Sequence, residues 1–140
     1  MRLIGIDFGE RRIGVAAADD RTGIAVPLDT INAGADPVAE IARLVDEQHA
    51  DELVVGMPLS LSGAEGPQAQ RVREAVAQLE TLIAIPVRTY DERLTSTQAD
   101  RVPSTAKRGP GKRGRAPDNR DSIAASILLQ AYLDSKRPHD

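Results

Sequence analysis

Residues 1–15, MRLIGIDFGERRIGV, constrain the fold more than any other stretch of this chain. An apolar strand from Arg2 to Ile6 runs directly into a carboxylate, Asp7. A tight turn is expected at Phe8, Gly9 and Glu10, and a second strand from Arg12 to Ala18. An ionised Asp beside strand core is costly unless it is solvated or paired. At a strand end it is neither fully buried nor fully free, the usual place for a metal or a substrate to meet a sheet.

The remaining elements follow from periodicity. A third apolar run, Ile24 to Ile31, extends the hairpin, with Pro27 marking an edge or a bulge. Strands this close in sequence pair antiparallel. Asp36 is placed to cap a helix with Pro37 in its first turn, and Val38, Ile41, Ala42 and Val45 keep one face apolar to about His49. The short run Glu52 to Met57 reads as a strand buried on both faces and parallel to the first. After a Gly/Ser-rich loop from Pro58, Ala69, Val72, Val76, Leu79 and Ile83 have helical spacing. Pro86 to Tyr90 makes a last strand, ending at Asp91-Glu92-Arg93. Thr95 to Gln98 forms a capping box that opens a short helix ending near Pro103. Ile123, Ala124, Ile127, Leu128 and Ala131 define the final helix, just after Asp121.

This order gives an α/β fold: a mixed five-stranded sheet, three antiparallel strands then two parallel, with helices on both faces. At 140 residues the chain is expected to be one domain, residues 1–140. Its core must be aliphatic, because Phe8, Tyr90 and Tyr132 are its only aromatic residues. The absence of cysteine removes disulfides, zinc knuckles and thiol nucleophiles. Asp7, Glu10, Arg11 and Arg12 interrupt any signal-peptide centre, and no apolar run approaches membrane length. A soluble, cytoplasmic protein without a membrane partner is expected.

The net charge of −3 is distributed unevenly. Residues 104–117 are rich in Gly, Pro and basic side chains and lack periodicity, so a mobile loop is expected there. Its Lys107, Arg108, Lys112, Arg113 and Arg115 either remain solvated or neutralise nucleic-acid phosphates. An acidic site that holds a polyanion needs a positive counterpart, which favours contact.

Asp7 ends the first strand, Glu92 follows the last, and Asp121 opens the last helix. Parallel first and last strands would bring these acids to one rim. Each also has a structural explanation. Asp7 could cap the turn at Gly9, Glu92 could pair with Arg88 or Arg93, and Asp121 could complement a helix dipole. Asp118, three residues before Asp121, could share either role. Converging carboxylates repel unless a cation joins them, and such oxygen donors suit Mg²⁺ or Mn²⁺. Two such ions about 3.5–4 Å apart can promote phosphodiester hydrolysis. Gly109 to Gly114 matches GxGxxG but lacks the flanking strand and helix of a dinucleotide site. His49 and His139 have no catalytic context. Few aromatics argue against a single-strand stacking platform, although Phe8 and Tyr90, next to two of the acids, could each touch a base.

Four segments in order, DFGERRIGVA (7–16), VVGMPLSLSGAEG (54–66), DERLTSTQA (91–99) and DSIAASILLQAYLD (121–134), resemble the YqgF/RuvX family. The resemblance spans the chain from first strand to last helix. It implies an RNase H-like fold and a metal-dependent nuclease assigned to the 5′ end of pre-16S rRNA. It further implies that Asp7, Glu92 and Asp121 are the catalytic and metal-holding acids. Gly9 would permit close backbone approach to them. Because the family is also described as Holliday-junction-resolvase-like, a branched-DNA endonuclease is the second expectation. Two symmetric cuts would require a homodimer, and no dimer seam is legible. A non-catalytic ribosome-assembly module is the alternative of another class. A sugar-kinase-like phosphate loop would need a second lobe.

Overall fold

The computed structural model describes residues 1–9, 11–32, 36–59, 63, 65–94 and 120–136. The expected capping box at 95–98, the basic loop at 104–117, Asp118 and His139 lie outside these residues, as does part of the loop after Pro58.

Strands β1 (Arg2–Phe8) and β2 (Arg12–Asp19) form the expected antiparallel hairpin, from Arg2 opposite Asp19 to Phe8 opposite Ile13. The expected third strand is two pieces. β3 (Ile24–Pro27) and the two-residue β4 (Ile31–Asn32) both pair antiparallel with β2. Proline has no N–H to continue a ladder, so the chain leaves the sheet after Pro27 and rejoins it further on. Leu28 crosses the gap by donating its N–H to the Val15 carbonyl at 2.7 Å. The sheet therefore has six strands instead of five.

Helix α1 (Pro37–Glu47) starts as its capping sequence predicts: the Asp36 carboxylate accepts from the Ala39 N–H at 3.2 Å. Strand β5 (Glu52–Met57) is buried along its whole length and parallel to β1. Helix α2 (Pro67–Leu82) precedes β6 (Val87–Asp91), which is parallel to β5. Helix α3 (Arg120–Lys136) closes the described chain. The main sheet order is β3-β2-β1-β5-β6. Among the described residues, no helix is long and apolar enough to cross a membrane.

Strand alternation distributes the core between two faces. Ile4, Ile6, Val15, Leu53 and Val55 pack with α1 and α2, whereas Leu3, Ala16, Ala18 and Val54 pack under α3. In α2 the buried residues are Ala69, Val72, Ala75 and Leu79, so Ala75 takes the core position expected of Val76. The face of α3 also differs from expectation. Leu128 and Ala131 are buried as expected, but Ile123, Ala124 and Ile127 are only partly so. Ser122, Ala125, Leu129, Tyr132 and Leu133 complete the buried side. Apolar residues surround much of this helix, so hydrophobic period alone does not select its seat; small residues and close approach to the sheet do. A Cβ on Gly5 would sit 3.0 Å from Leu129 Cβ. At the opposite end of the sheet from Asp7, Glu52 is buried, with the Tyr132 hydroxyl donating to it and Arg88 at 3.6 Å.

Candidate active site

Two parallel pairings, β1 with β5 and β5 with β6, make β1 and β6 run the same way with β5 between them. Asp7 and Glu92 therefore emerge at the same rim. Glu92 is held just past β6 by its N–H, which donates to the Met57 carbonyl at 3.0 Å. Its side chain lies across β5 and hydrogen-bonds the Asp7 carboxyl. This crossing requires Gly56: a Cβ there would lie 2.6 Å from Glu92 Oε2.

Asp121 comes from α3, which packs on the same face of the sheet as the Asp7 and Glu92 side chains. The break between β3 and β4 leaves the Val15 N–H beside α3, and buried Ser122 Oγ accepts it at 3.3 Å. One residue earlier, the Asp121 backbone presses onto Gly14, where a Cβ would lie 1.8 Å from the Asp121 carbonyl oxygen. Asp121 Oδ1 then lies 3.1 Å from the position a Gly9 Cβ would take. The same Cβ would lie still closer, at 2.5 Å, to the Arg12 carbonyl oxygen of the β1–β2 turn. The two glycines and Ser122 seat the first turn of α3 so that the Asp121 charge acts on Asp7.

The arrangement stores electrostatic cost. Burial raises the Asp7 pKa above the usual carboxylate value, and the Asp121 charge raises it further. Burial also lifts Glu92, assisted by its hydrogen bond and repulsion with Asp7, to about 8. Without a cation, the Asp7–Glu92 pair shares a proton at neutral pH. A group whose folded pKa is raised above its unfolded value loses stability as pH rises from the unfolded to the folded pKa. In a chelator, stability is thus expected to fall between about pH 4.5 and about pH 8. The loss is about 1–3 kcal/mol after allowance for the pair's partial solvation. Thermal melts across this range check the slope; a rise in stability would contradict it.

Asp121 stands in the first turn of α3, where a helix dipole favours an acid, and the arginines and turn near the other two acids have partners of their own. Arg93 pairs with Asp91 at 2.6 Å, and Arg88 faces Glu52. At the β1–β2 turn, the Gly9 N–H donates to the Arg12 carbonyl at 3.0 Å. Tyr90 packs edge-on against Tyr132, with centroids 5.8 Å apart. Sequence reasoning missed Gly14, Gly56 and Ser122. Glycines inside strands are a signal of close backbone approach, but they do not reveal what approaches. Among the described residues, no three His, Cys, Asp or Glu side chains close into a ready metal-ligand set. Asp7 and Glu92 are in contact, while Asp121 acts on Asp7 through space.

The mixed sheet, with helices on both faces and acids gathered at one rim, has an RNase H-like fold. Solved structures with a similar fold include Thermus thermophilus RuvC in complex with Holliday junction substrate, at TM-score 0.61 and 15% identity. That likeness covers 97% of this chain and 96% of the RuvC chain. The fowlpox virus resolvase in complex with Holliday junction DNA superposes at TM-score 0.59 and 12% identity, covering 96% of this chain and 98% of that one. The chain belongs to the RuvX family, whose model, described as Holliday junction resolvase, matches residues 1–135. A Chloroflexus aggregans relative named "Putative pre-16S rRNA nuclease" is 43% identical over 96% of this chain and 94% of its own. A Roseiflexus relative of the same name is 44% identical over 97% of this chain and 96% of its own.

Proposed function

We propose that the protein is a divalent-metal-dependent nuclease that hydrolyses phosphodiester bonds of structured RNA at the 5′ end of pre-16S rRNA, in the cytoplasm. The observation that carries this reading is the meeting of Asp7 and the Glu92 side chain, which crosses β5 over Gly56, at a sheet rim with Asp121 beside the Gly9 turn. The all-oxygen, anionic donor set fits Mg²⁺ or Mn²⁺. Asp7, Glu92 and Asp121 would hold the cation, with Asp118 as a further candidate. A cation bound there would supply Lewis-acid activation of the attacking water and charge stabilisation at the leaving oxygen.

The protein's own contribution is positioning. Loss of the shared Asp7–Glu92 proton turns both groups into ligands, so binding a cation releases protons. Divalent metal is therefore expected to flatten the pH slope seen in chelator. Gly56 leaves Glu92 its path to Asp7, while Gly9 and Gly14 let Asp121 approach. These glycines let carboxylates from three separated elements approach one rim of the sheet.

Lys107, Arg108, Lys112, Arg113 and Arg115 supply the positive charge that an acidic site lacks. Changing all five to Ala is expected to weaken RNA binding and flatten its dependence on salt. Each lost phosphate contact removes about 0.7–0.9 from the slope of log affinity against log salt. Binding measured across a salt series gives this slope, and an unchanged value refutes the role.

The RuvX family description and the RuvC-like fold favour a branched-DNA endonuclease as the second reading. Cleavage of matched pre-16S leader RNA, single-stranded DNA and four-way-junction DNA with Mn²⁺ separates them. Preferential RNA cleavage supports the first reading, and paired junction cuts by a homodimer support the second. Absence of both cleavage and metal binding, with function retained in Asp7→Asn, supports a non-catalytic assembly module.

A further inference from the structure

At the end of the sheet opposite the acid-bearing rim, a cavity of about 330 Å³ opens between the start of β1, the start of β5 and the last turns of α3. Leu3 and Leu133 give it apolar walls, and Glu52 and Lys136 give it opposite charges. Glu52 is only 5% exposed. A carboxylate buried that far is costly unless its oxygens are paired. Its two side-chain partners, the Tyr132 hydroxyl and the Arg88 guanidinium at 3.6 Å, both meet Oε2. Among the described residues, Oε1 receives no hydrogen bond. The Tyr132 hydroxyl also stands between the two charges: it donates to Glu52 and accepts from Lys136 Nζ at 3.2 Å. Lys136 is exposed, and an ammonium has three donors, so it can serve a ligand as well as Tyr132.

We propose that this cavity binds a free aliphatic α-amino acid as its zwitterion, with the ammonium on Glu52 Oε1, the carboxylate on Lys136 and the side chain against Leu3 and Leu133. The proposal stands apart from the nuclease reading, because none of its residues belongs to the acid rim. Charge selects the ligand class. Asp20 and the Met1 α-amino group at the cavity edge form their own ion pair at 2.9 Å, which leaves Glu52 and Lys136 to face a ligand. A cation would be repelled by Lys136 and an anion by Glu52, whereas a zwitterion complements both. Spacing narrows the class: one hydroxyl separates Glu52 from Lys136, as one carbon separates the ammonium of an α-amino acid from its carboxylate. The volume lies at the lower end of small-ligand sites, about 300–1,000 Å³, and suits a single small molecule. The walls belong to β1 and α3, which carry Asp7 and Asp121 at their other ends, so occupancy stabilises the two elements together.

Amide spectra of the ¹⁵N-labelled full chain, titrated with L-leucine, test this. The controls are 3-methylbutylamine, which lacks the carboxylate, and 4-methylpentanoate, which lacks the ammonium. Saturable shifts at Leu3, Glu52, Leu133 and Lys136 are expected with L-leucine, and each control should bind about tenfold more weakly, the size of one lost charged hydrogen bond. Glu52→Gln keeps the side-chain shape and should weaken leucine binding about tenfold. Should that buried substitution prevent folding, Lys136→Met, at an exposed position, carries the test alone: leucine should then bind no better than 3-methylbutylamine. No saturable shift at millimolar leucine, equal binding of leucine and either control, shifts confined to other surfaces, or unchanged leucine affinity in Lys136→Met would each overturn the site.

Discussion

Asp7→Asn is expected to cut RNA cleavage by about a hundred- to a thousand-fold while making the metal-free protein more stable. The loss has the size seen when one preorganised charge-stabilising group is removed from an active site. The gain has a separate cause. Asp7 is a largely buried carboxyl with its pKa raised by burial and by Asp121, and it raises Glu92 in turn. An amide can still meet Glu92 through a hydrogen bond but brings no charge into the site. The stability slope between about pH 4.5 and about pH 8 should become shallower in this variant, because Glu92 loses its repulsive neighbour. Melting curves in chelator and cleavage rates in Mn²⁺ provide the two readouts. Reduced stability with unchanged cleavage would assign Asp7 an ordinary structural role.

The second large effect is expected at a residue with no chemistry of its own. Gly14→Ala puts a methyl group 1.8 Å from the Asp121 carbonyl oxygen and 2.2 Å from its carbonyl carbon. Both are backbone atoms, so no rotamer change relieves the overlap. Either α3 lifts from β2 or β2 bends from the sheet. Overpacking ordinarily costs about 1–3 kcal/mol, and a backbone overlap this deep belongs at or above the top of that range. Lifting the helix also withdraws Ser122 from the Val15 N–H and Asp121 from Asp7. Gly14→Ala should therefore lose both stability and cleavage. Gly56→Ala would meet side-chain atoms alone, Glu92 Oε2 at 2.6 Å and Glu92 Cγ and Leu128 Cδ2 at 3.1 Å, which can shift, and should lose cleavage with a smaller loss of stability. Denaturant unfolding of the two variants separates these effects; equal stability losses would contradict the assigned contacts.

The contrast between these glycines and Asp7 explains what could be read from sequence. Asp7 stands out because it interrupts an apolar run, whereas Glu92 follows a short, largely polar strand and stands out through the family resemblance of its DER triplet. The first helix was legible from Asp36 and Pro37, whose capping roles are local as well. The parallel placement of Glu52–Met57 was legible because a strand buried on both faces belongs inside a sheet. Gly14, Gly56 and Ser122 owe their roles to partners brought close only by the fold. A serine or glycine in an otherwise ordinary element carries no record of such a partner. The seat of α3 was illegible for a related reason: apolar residues surround much of the helix, and contact with Gly5 and Gly14 decides which side faces inward. Pro27 signalled irregularity, but whether the strand would bulge or break depended on Leu28 reaching the Val15 carbonyl.

Metal dependence of cleavage of a pre-16S rRNA 5′ leader tests the central claim most directly, with the wild-type chain compared with Glu92→Gln and Asp121→Asn. The wild type should cut only with Mg²⁺ or Mn²⁺, stop on chelation and resume when metal is restored, whereas both variants should remain nearly inactive at every metal concentration. Cleavage that persists in chelator, or variants that cut at the wild-type rate, would contradict the assignment of these carboxylates as the cation-holding catalytic group.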